Sequence, residues 1–347
     1  LSLVELLVAT LITLIGLLVI TQVFAVYEGW KRTTTGVAQT QETGLLGAFA
    51  IEQDLRNAGF GLVGVDCASI ANYHALAADK RVALPAKPLT ITQEEKAPRN
   101  DRIDVLYSTS AFANVGVRLQ YEIADSAADL YVNNDLGFAT GDLILLGSDG
   151  GDCSLLQFSG KDRDAEVPSL PNVTSSGNAR LLPHLPGAET PWNPPEGTNS
   201  LAGKHYGVGT RVLNLGQGLV SRRFYVKDDT LRVDELDTSD GSVTTYDLAP
   251  GVVGLRAACL PAMPCGENTT AIRFGLIVRS GNREKDRIER QQEVNVSDGK
   301  ASIAFWPGDG APTFDLDLSS NDEALHYRYR VFQTVVPLKN IVWNTSP

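Results

Sequence analysis

The chain has 347 residues, 43% of them hydrophobic and 20% charged, enough apolar material for a sizeable core and too much for an intrinsically disordered protein. A formal charge of -11 works against general binding to nucleic acid or anionic membranes, since both need clustered Lys and Arg facing phosphates. The four cysteines, Cys67, Cys153, Cys259 and Cys265, form an even set without zinc-like spacing, so disulfides in an oxidising compartment are expected.

The first element is an apolar stretch from Leu6 to Val26, long enough as a helix to cross a bilayer core, which takes ~20 residues. No basic leading region or A-x-A-like cleavage site accompanies it, so it is expected either to be retained or to have lost its leader already. A single carboxylate, Glu5, interrupts the run. Charge inside a membrane helix is costly, on the order of 2.5 to 3.5 kcal/mol at the centre, so a retained one usually has a partner. After Trp30 the pattern becomes amphipathic, with Val37, Leu45, Ala48, Ile51 and Leu55 at near-helical spacing. The helix is expected to stop at Asn57-Ala58-Gly59, with Gly59 in the left-handed position.

Beyond it, strands are expected at 102–109, 115–123, 142–147, 154–158, 211–215, 219–226, 230–233, 272–280 and 327–338, from alternating or β-rich runs between turn residues. Residues 252–259 read as a short helix. A stretch rich in Pro, Gly, Ser and Asn, 161–209, reads as a long loop. The organisation is thus a membrane-type helix over 1–28, an amphipathic continuation over 29–59 and a β-rich head over 60–347. Cys259 and Cys265 bracket five residues and can close a tight loop, leaving Cys67 with Cys153; free thiols are the alternative.

The opening, Leu1-Ser2-Leu3-Val4-Glu5-Leu6-Leu7-Val8-Ala9-Thr10, resembles the mature start of type IV pilins and pseudopilins. The resemblance implies an α+β pilin fold, in which a long N-terminal helix packs on an antiparallel sheet, here with an enlarged β-rich head. It implies that prepilin peptidase removes a short basic leader before Leu1, and that Leu1, where most members have Phe, is then N-methylated. Glu5 would pair with the N-terminal amine at Leu1 of a neighbouring subunit, neutralising two charges in an apolar bundle and setting the axial register. Many major pilins carry a proline near position 22; this chain has Gln22 and no proline before Pro85, so an unbroken stem is expected.

Further segments resemble the minor pilins called PilW, relatives of the J-type minor pseudopilins of type II secretion. They are Ile51-Glu52-Gln53-Asp54-Leu55-Arg56-Asn57-Ala58-Gly59, Arg102-Ile103-Asp104-Val105-Leu106, Gly141-Asp142-Leu143-Ile144-Leu145, Ile272 to Ser280 and Tyr329 to Asn340. This likeness implies a member of a small complex that primes pilus assembly and sits at the tip. The implied partners are other pilins through the stem, the inner membrane before assembly and prepilin peptidase during maturation. The implied location is an inner-membrane stem with a periplasmic head, then the extracellular filament. A minor pseudopilin, a main structural subunit and a membrane-anchored adhesin or enzyme are the rivals.

No catalytic constellation stands out, and neither catalysis nor a cofactor is expected. His74, His184, His205 and His326 are scattered, without H-E-x-x-H, G-x-S-x-G or P-loop patterns. Gly59 to Gly64 fits G-x-G-x-x-G but closes a helix instead of opening one, so it lacks the amides of a phosphate cradle. Asp315, Asp317, Asn321, Asp322 and Glu323 offer oxygen ligands for calcium, as does the run from Asp149 to Asp152, but neither has EF-hand spacing, and solvated turns are the simpler reading. The mixed run from Arg279 to Arg290 reads as a self-paired surface.

Overall fold

The computed structural model describes residues 2–62, 64–94, 100–113, 116–123, 129–147, 151–160, 179–195, 205–266, 268–285, 294–297, 300–306, 313–316 and 323–342. The first element is one unbroken helix, α1 (Leu3–Asn57), of 55 residues, about 83 Å at 1.5 Å per residue. It starts with Ser2 as N-cap and ends where Gly59, at φ +77°, turns the chain and donates its N–H to Leu106 O at 3.0 Å. Residues 2–32 are all exposed. The hydroxyls of Thr10, Thr13 and Thr21 in this stretch donate to the carbonyls of Leu7, Ala9 and Leu18, which satisfies them without water.

The head holds eighteen strands among the described residues: β1 (Cys67–Ala71), β2 (Leu89–Thr92), β3 (Arg102–Ser108), β4 (Val117–Arg118), β5 (Asp129–Val132), β6 (Leu143–Gly147), β7 (Gly151–Gln157), β8 (Arg180–Pro183), β9 (Arg211–Gly216), β10 (Leu219–Lys227), β11 (Thr230–Leu236), β12 (Val243–Pro250), β13 (Val252–Leu260), β14 (Ala271–Arg279), β15 (Val294–Ser297), β16 (Lys300–Ala304), β17 (Thr313–Leu316) and β18 (Tyr329–Pro337). One helical turn, α2 (Lys339–Val342), follows β18. The layout is α+β, a long apolar helix with a β-rich head.

Two antiparallel sheets, β12-β11-β10-β3-β2 and β13-β14-β18, share one core with the second half of α1. Ile51, Leu55 and Ala58 pack there with Ile103, Phe224 and Leu231 of the first sheet and Ile272, Phe274 and Leu276 of the second. Burying each large aliphatic side chain contributes roughly 1.5 to 3 kcal/mol, and this core is what fastens the helix to the head. Behind the second sheet, Val253 and Ile277 meet Ile303, Phe305 and Leu325, so the small β15-β16-β17 sheet covers its far face.

The remaining large sheet, β1-β7-β6-β9-β4, is covered on both sides. Leu143 and Leu145 pack with Leu62, Val65 and Trp192, while Ile144 and Leu146 pack with Leu130, Phe158 and Tyr206. Neighbours along a strand point to opposite faces, so β6 needs an unbroken apolar run. Cys67 at the start of β1 is bonded to Cys153 on β7, and Cys259 to Cys265 across the β13–β14 turn, as the spacing suggested. In the chain-entropy model the first, closing the longer loop, contributes about 4 to 5 kcal/mol and the second about 2.

Three expectations are overturned. Residues 252–259 form strand β13 instead of a helix. A bulge between Val252 and Gly254 breaks the alternation, so that Val252, Leu255, Ala257 and Cys259 face one core and Val253 the other. The 161–209 stretch is not all loop, since it contributes β8 and the buried Trp192 and Asn193; residues 161–178 and 196–204 lie outside the described ones. The expected strand 115–123 is reduced to β4 and isolated bridges at Leu119 and Ile123.

The amphipathic half of the helix buries Ile51 and Leu55 as expected, and Ala48 packs against the same core, but Leu45 does not face it. Its buried residues are Gly36, Thr40, Gly44, Gly47, Ile51, Asp54 and Leu55, whereas Leu45 is 62% exposed. A Cβ added at Gly44 would lie 2.0 Å from the Phe332 ring, and one at Gly47 would lie 3.1 to 3.3 Å from Leu231, Leu276 and Ala249. The backbone approaches the sheet too closely for a large side chain to face it. Gly44→Ala gains about 1 kcal/mol in helix propensity, against roughly 1 to 3 kcal/mol for overpacking. Overlap with a ring makes the second effect larger, so a net loss of about 1 to 2 kcal/mol is expected in chemical denaturation. Adding Phe332→Leu should remove most of the penalty of Gly44→Ala, and strictly additive effects would show that this contact does not set the spacing.

Candidate functional site

Among the described residues no pair or triad of reactive groups stands out, and the feature that invites a functional reading is the stem with its seat on the head. At its tip, Ser2 Oγ accepts the Val4 N–H at 3.3 Å and Ser2 N–H donates to Glu5 Oε2 at 2.9 Å. This is a capping box, foreshadowed by the S-x-x-E spacing of Ser2 and Glu5, and it places a carboxylate where the helix dipole favours one. Glu5 is exposed among apolar neighbours, with one oxygen engaged by its own chain. Leu1 lies outside the described residues.

Where the stem meets the head, a charged cluster underlies the apolar contact. Asp54 is 3% exposed and accepts two bonds from Arg222 Nη1 on β10, at 2.9 and 3.1 Å, and one from the Tyr107 hydroxyl on β3 at 2.9 Å. Arg222 Nη2 reaches Glu235 on β11 at 3.0 Å. Burial, with the neighbouring Asp54 charge, pushes the Tyr107 hydroxyl far above its ordinary pKa, so it stays a donor. The cluster locks the helix in one rotation and one axial position on the sheet. Asp54 falls in the segment from Ile51 to Gly59, but nothing local marks it as the residue that turns inward, because its partners come from strands far along the chain.

A second grip lies lower. Asn282 Nδ2 donates to Arg32 O at 3.3 Å, and Thr33 Oγ1 donates to Glu284 Oε1 at 3.3 Å. Glu284 also accepts from Arg328 Nε at 2.9 Å. Of the run from Arg279 to Arg290, residues 286–290 lie outside the described ones; in the rest, Arg279 pairs with Asp229 at 2.8 Å and Arg283 with Glu323 at 2.8 Å, both outside the run.

The other candidate residues are dispersed. Glu323 is held by both nitrogens of the Arg283 fork, which draws its carboxyl below the usual range. Asp315 lies on β17 opposite Ser302, and Asp317, Asn321 and Asp322 fall outside the described residues, as does Asp149. Asp152 accepts from the Ser69 hydroxyl at 2.7 Å. Among the described residues no three His, Cys, Asp or Glu side chains converge on a common point that would hold a metal ion. The histidines occupy four separate segments, His74 edge-on to Trp192 at 4.7 Å and His205 against Glu122. The glycines of the G-x-G-x-x-G match serve packing, since a Cβ at Gly61 would meet Ala113 and Ser108 at 2.5 Å.

Among the described residues Asp101 carries the most perturbed carboxyl, pushed up to about 6 by burial against the lowering effects of the Ala257 amide and the Arg256 guanidinium. A raised carboxyl is a catalytic signature only where a substrate can reach it. Asp101 is 0% exposed, and its oxygens accept from Arg256 Nη1 at 3.1 Å and Ala257 N–H at 2.8 Å, so it braces β13.

No protein-family model matches the chain, and no curated protein or solved structure does. Its reading rests on its own residues. Among the described residues, α1 is the one helix long and apolar enough to cross a membrane.

The Asp101 carboxyl has a defined pH signature. The native state keeps its proton where the unfolded chain, at the ordinary 3.8, has lost it. Its stabilising contribution is therefore complete below about pH 4 and is lost as pH rises through about 6. Relative to Asp101→Asn, the native protein should lose on the order of 3 kcal/mol of unfolding free energy across that window. A difference independent of pH would show that the carboxyl titrates alike in both states.

Proposed function

We propose that the chain is a structural subunit of a type IV pilus-like filament, a minor pilin of the PilW type that primes assembly and sits at or near the tip. The head would then act through assembly, without catalysis. The observation that carries the proposal is the extent of exposed apolar surface on α1. A bilayer accounts for about 20 residues of it, ending near Val26. Leu45, Leu46 and Phe49 are 62%, 57% and 64% exposed, yet they lie about 28 to 35 Å farther along the axis, beside the head and on the face turned away from it.

Neither lipid nor the chain's own head covers these three side chains. A protein that merely used α1 as an anchor would have no reason to keep them apolar, because exposed contiguous apolar surface marks an interaction site. A subunit whose stem packs among other stems needs apolar surface along its whole length. Glu5 fits the same reading. Its carboxylate caps its own helix and has lone pairs left for the amine of a neighbouring stem, where an apolar surround strengthens the pairing.

The test is incorporation. Leu45→Gln, Leu46→Gln and Phe49→Gln together keep helix propensity and should leave membrane fractionation and head melting unchanged. The amount of this chain in sheared, purified filaments, measured by mass spectrometry, should fall at least about tenfold, the effect of ~1.4 kcal/mol lost at the stem interface. Glu5→Ala should behave alike. Unchanged incorporation of both variants would overturn the proposal. In the unmodified protein, trace abundance supports the tip role, dominance makes the chain the main subunit, and absence favours a secretion-system pseudopilin or an anchored protein.

A further inference from the structure

The apolar run of α1 ends in an ordered belt. Tyr27 and Trp30 are 64% and 75% exposed, and Lys31 and Arg32 follow directly. Aromatic side chains and then cations, in that order, are what a helix presents on leaving hydrocarbon for headgroups. The head begins at the same level. Thr33 is the first half-buried residue of the helix, and Asn282 and Glu284 reach the stem at Arg32 and Thr33. From Trp30 to Thr33 is about 5 Å along the axis. The headgroup layer on one side of a bilayer is roughly 5 to 8 Å thick, so a stem inserted as far as this belt puts the base of the head against it.

The charges at that base are unbalanced. Arg279, Arg283 and Arg328 are each matched by an acidic partner, Asp229, Glu323 and Glu284. Lys31, Arg32 and Lys285 are exposed and make no ion pair with a described residue. Glu28, one turn below Arg32, is the acidic side chain of the belt and is not paired with it. Among the described residues the result is a local excess of cations around the stem exit of a chain whose formal charge is -11. That total does not forbid an anionic ligand here, because screening confines each charge to about 8 to 10 Å at ordinary salt.

We infer that the head of the unassembled subunit is seated on the membrane by this collar, and that the collar's ligand is the phosphate of anionic phospholipid headgroups. Tyr27 and Trp30 fix the depth, Lys31, Arg32 and Lys285 engage phosphates, and the bonds from Asn282 and to Glu284 transmit that depth to the head. The inference rests on the membrane-inserted reading of the stem and is independent of filament assembly.

The full chain in nanodiscs of phosphatidylcholine, alone or mixed with phosphatidylglycerol, provides the test, read by amide hydrogen exchange at 280–285 and 326–330. Exchange there should be slower in the anionic discs by about fivefold or more, the factor for one Lys or Arg near an anionic surface, and high salt should remove the difference. Lys31→Gln, Arg32→Gln and Lys285→Gln together should abolish it while alkaline extraction still shows an inserted stem. Equal exchange in both lipids, a difference that survives high salt, or a variant that keeps it would overturn the inference. Failure of the stem to insert would instead overturn the reading beneath it, and the extraction assay separates the two.

Discussion

At Gly44 and Gly47 the stem lies so close to the sheet that a side chain there would press on the strands, and much of the architecture follows from that approach. The buried residues of this stretch are Gly36, Thr40, Gly44 and Gly47, and at the last two the space a side chain would fill is taken by Phe332, Leu231 and Leu276 from the strands. With the inner face reserved for small residues, the large apolar ones of the same segment can only point outward. The exposed Leu45, Leu46 and Phe49 are thus the complement of the contact.

The same closeness brings Asp54 within reach of Arg222 and Tyr107. A buried ion pair is weak evidence of net stability, since desolvation offsets much of the attraction, but a mispaired one is costly. Rotating the helix by one residue, or sliding it by one turn, would leave the Asp54 carboxylate buried without its guanidinium. Apolar packing alone tolerates such shifts far better. The seat therefore combines a greasy contact that provides most of the free energy with a polar one that selects a single register, and the exposed face of the stem is held at a fixed angle to the head.

Much of the helix was legible from the residues, and much of the head was not. The long apolar run, its lone carboxylate and the stop near Gly59 are local signals, and the helix ends where they place it. The S-x-x-E box at Ser2 and Glu5 was also local, yet easily overlooked beside the greater oddity of a charge in an apolar run. Ile51 and Leu55 of the expected stripe are buried, but Leu45 is not, because hydrophobicity does not mark burial where the inward residues from 36 to 47 are glycines and a threonine. Strand β13 was misread because its bulge disrupts the period and covered faces remove polar alternation. Strand β12 escaped because it is an exposed edge in which two threonines and an aspartate interrupt the apolar residues, with little hydrophobic pattern to detect. Asp101 and Asp54 became conspicuous only in three dimensions, where burial and distant partners define them.

The bond between Cys67 and Cys153 has a mechanical meaning. It joins residues 86 positions apart, just after the helix hands over to the head. A chain of that length, pulled straight, would span roughly 300 Å, several times the length of the stem itself. Once the packing of α1 on its two sheets has given way, a load along the chain reaches β1 next, and β1 lies at the edge of its sheet, beside β7 alone. Without the bond, peeling that edge would begin to pay out slack from the head. With it, the segment between the two cysteines cannot lengthen, and a tug on the stem passes directly into the two-faced sheet.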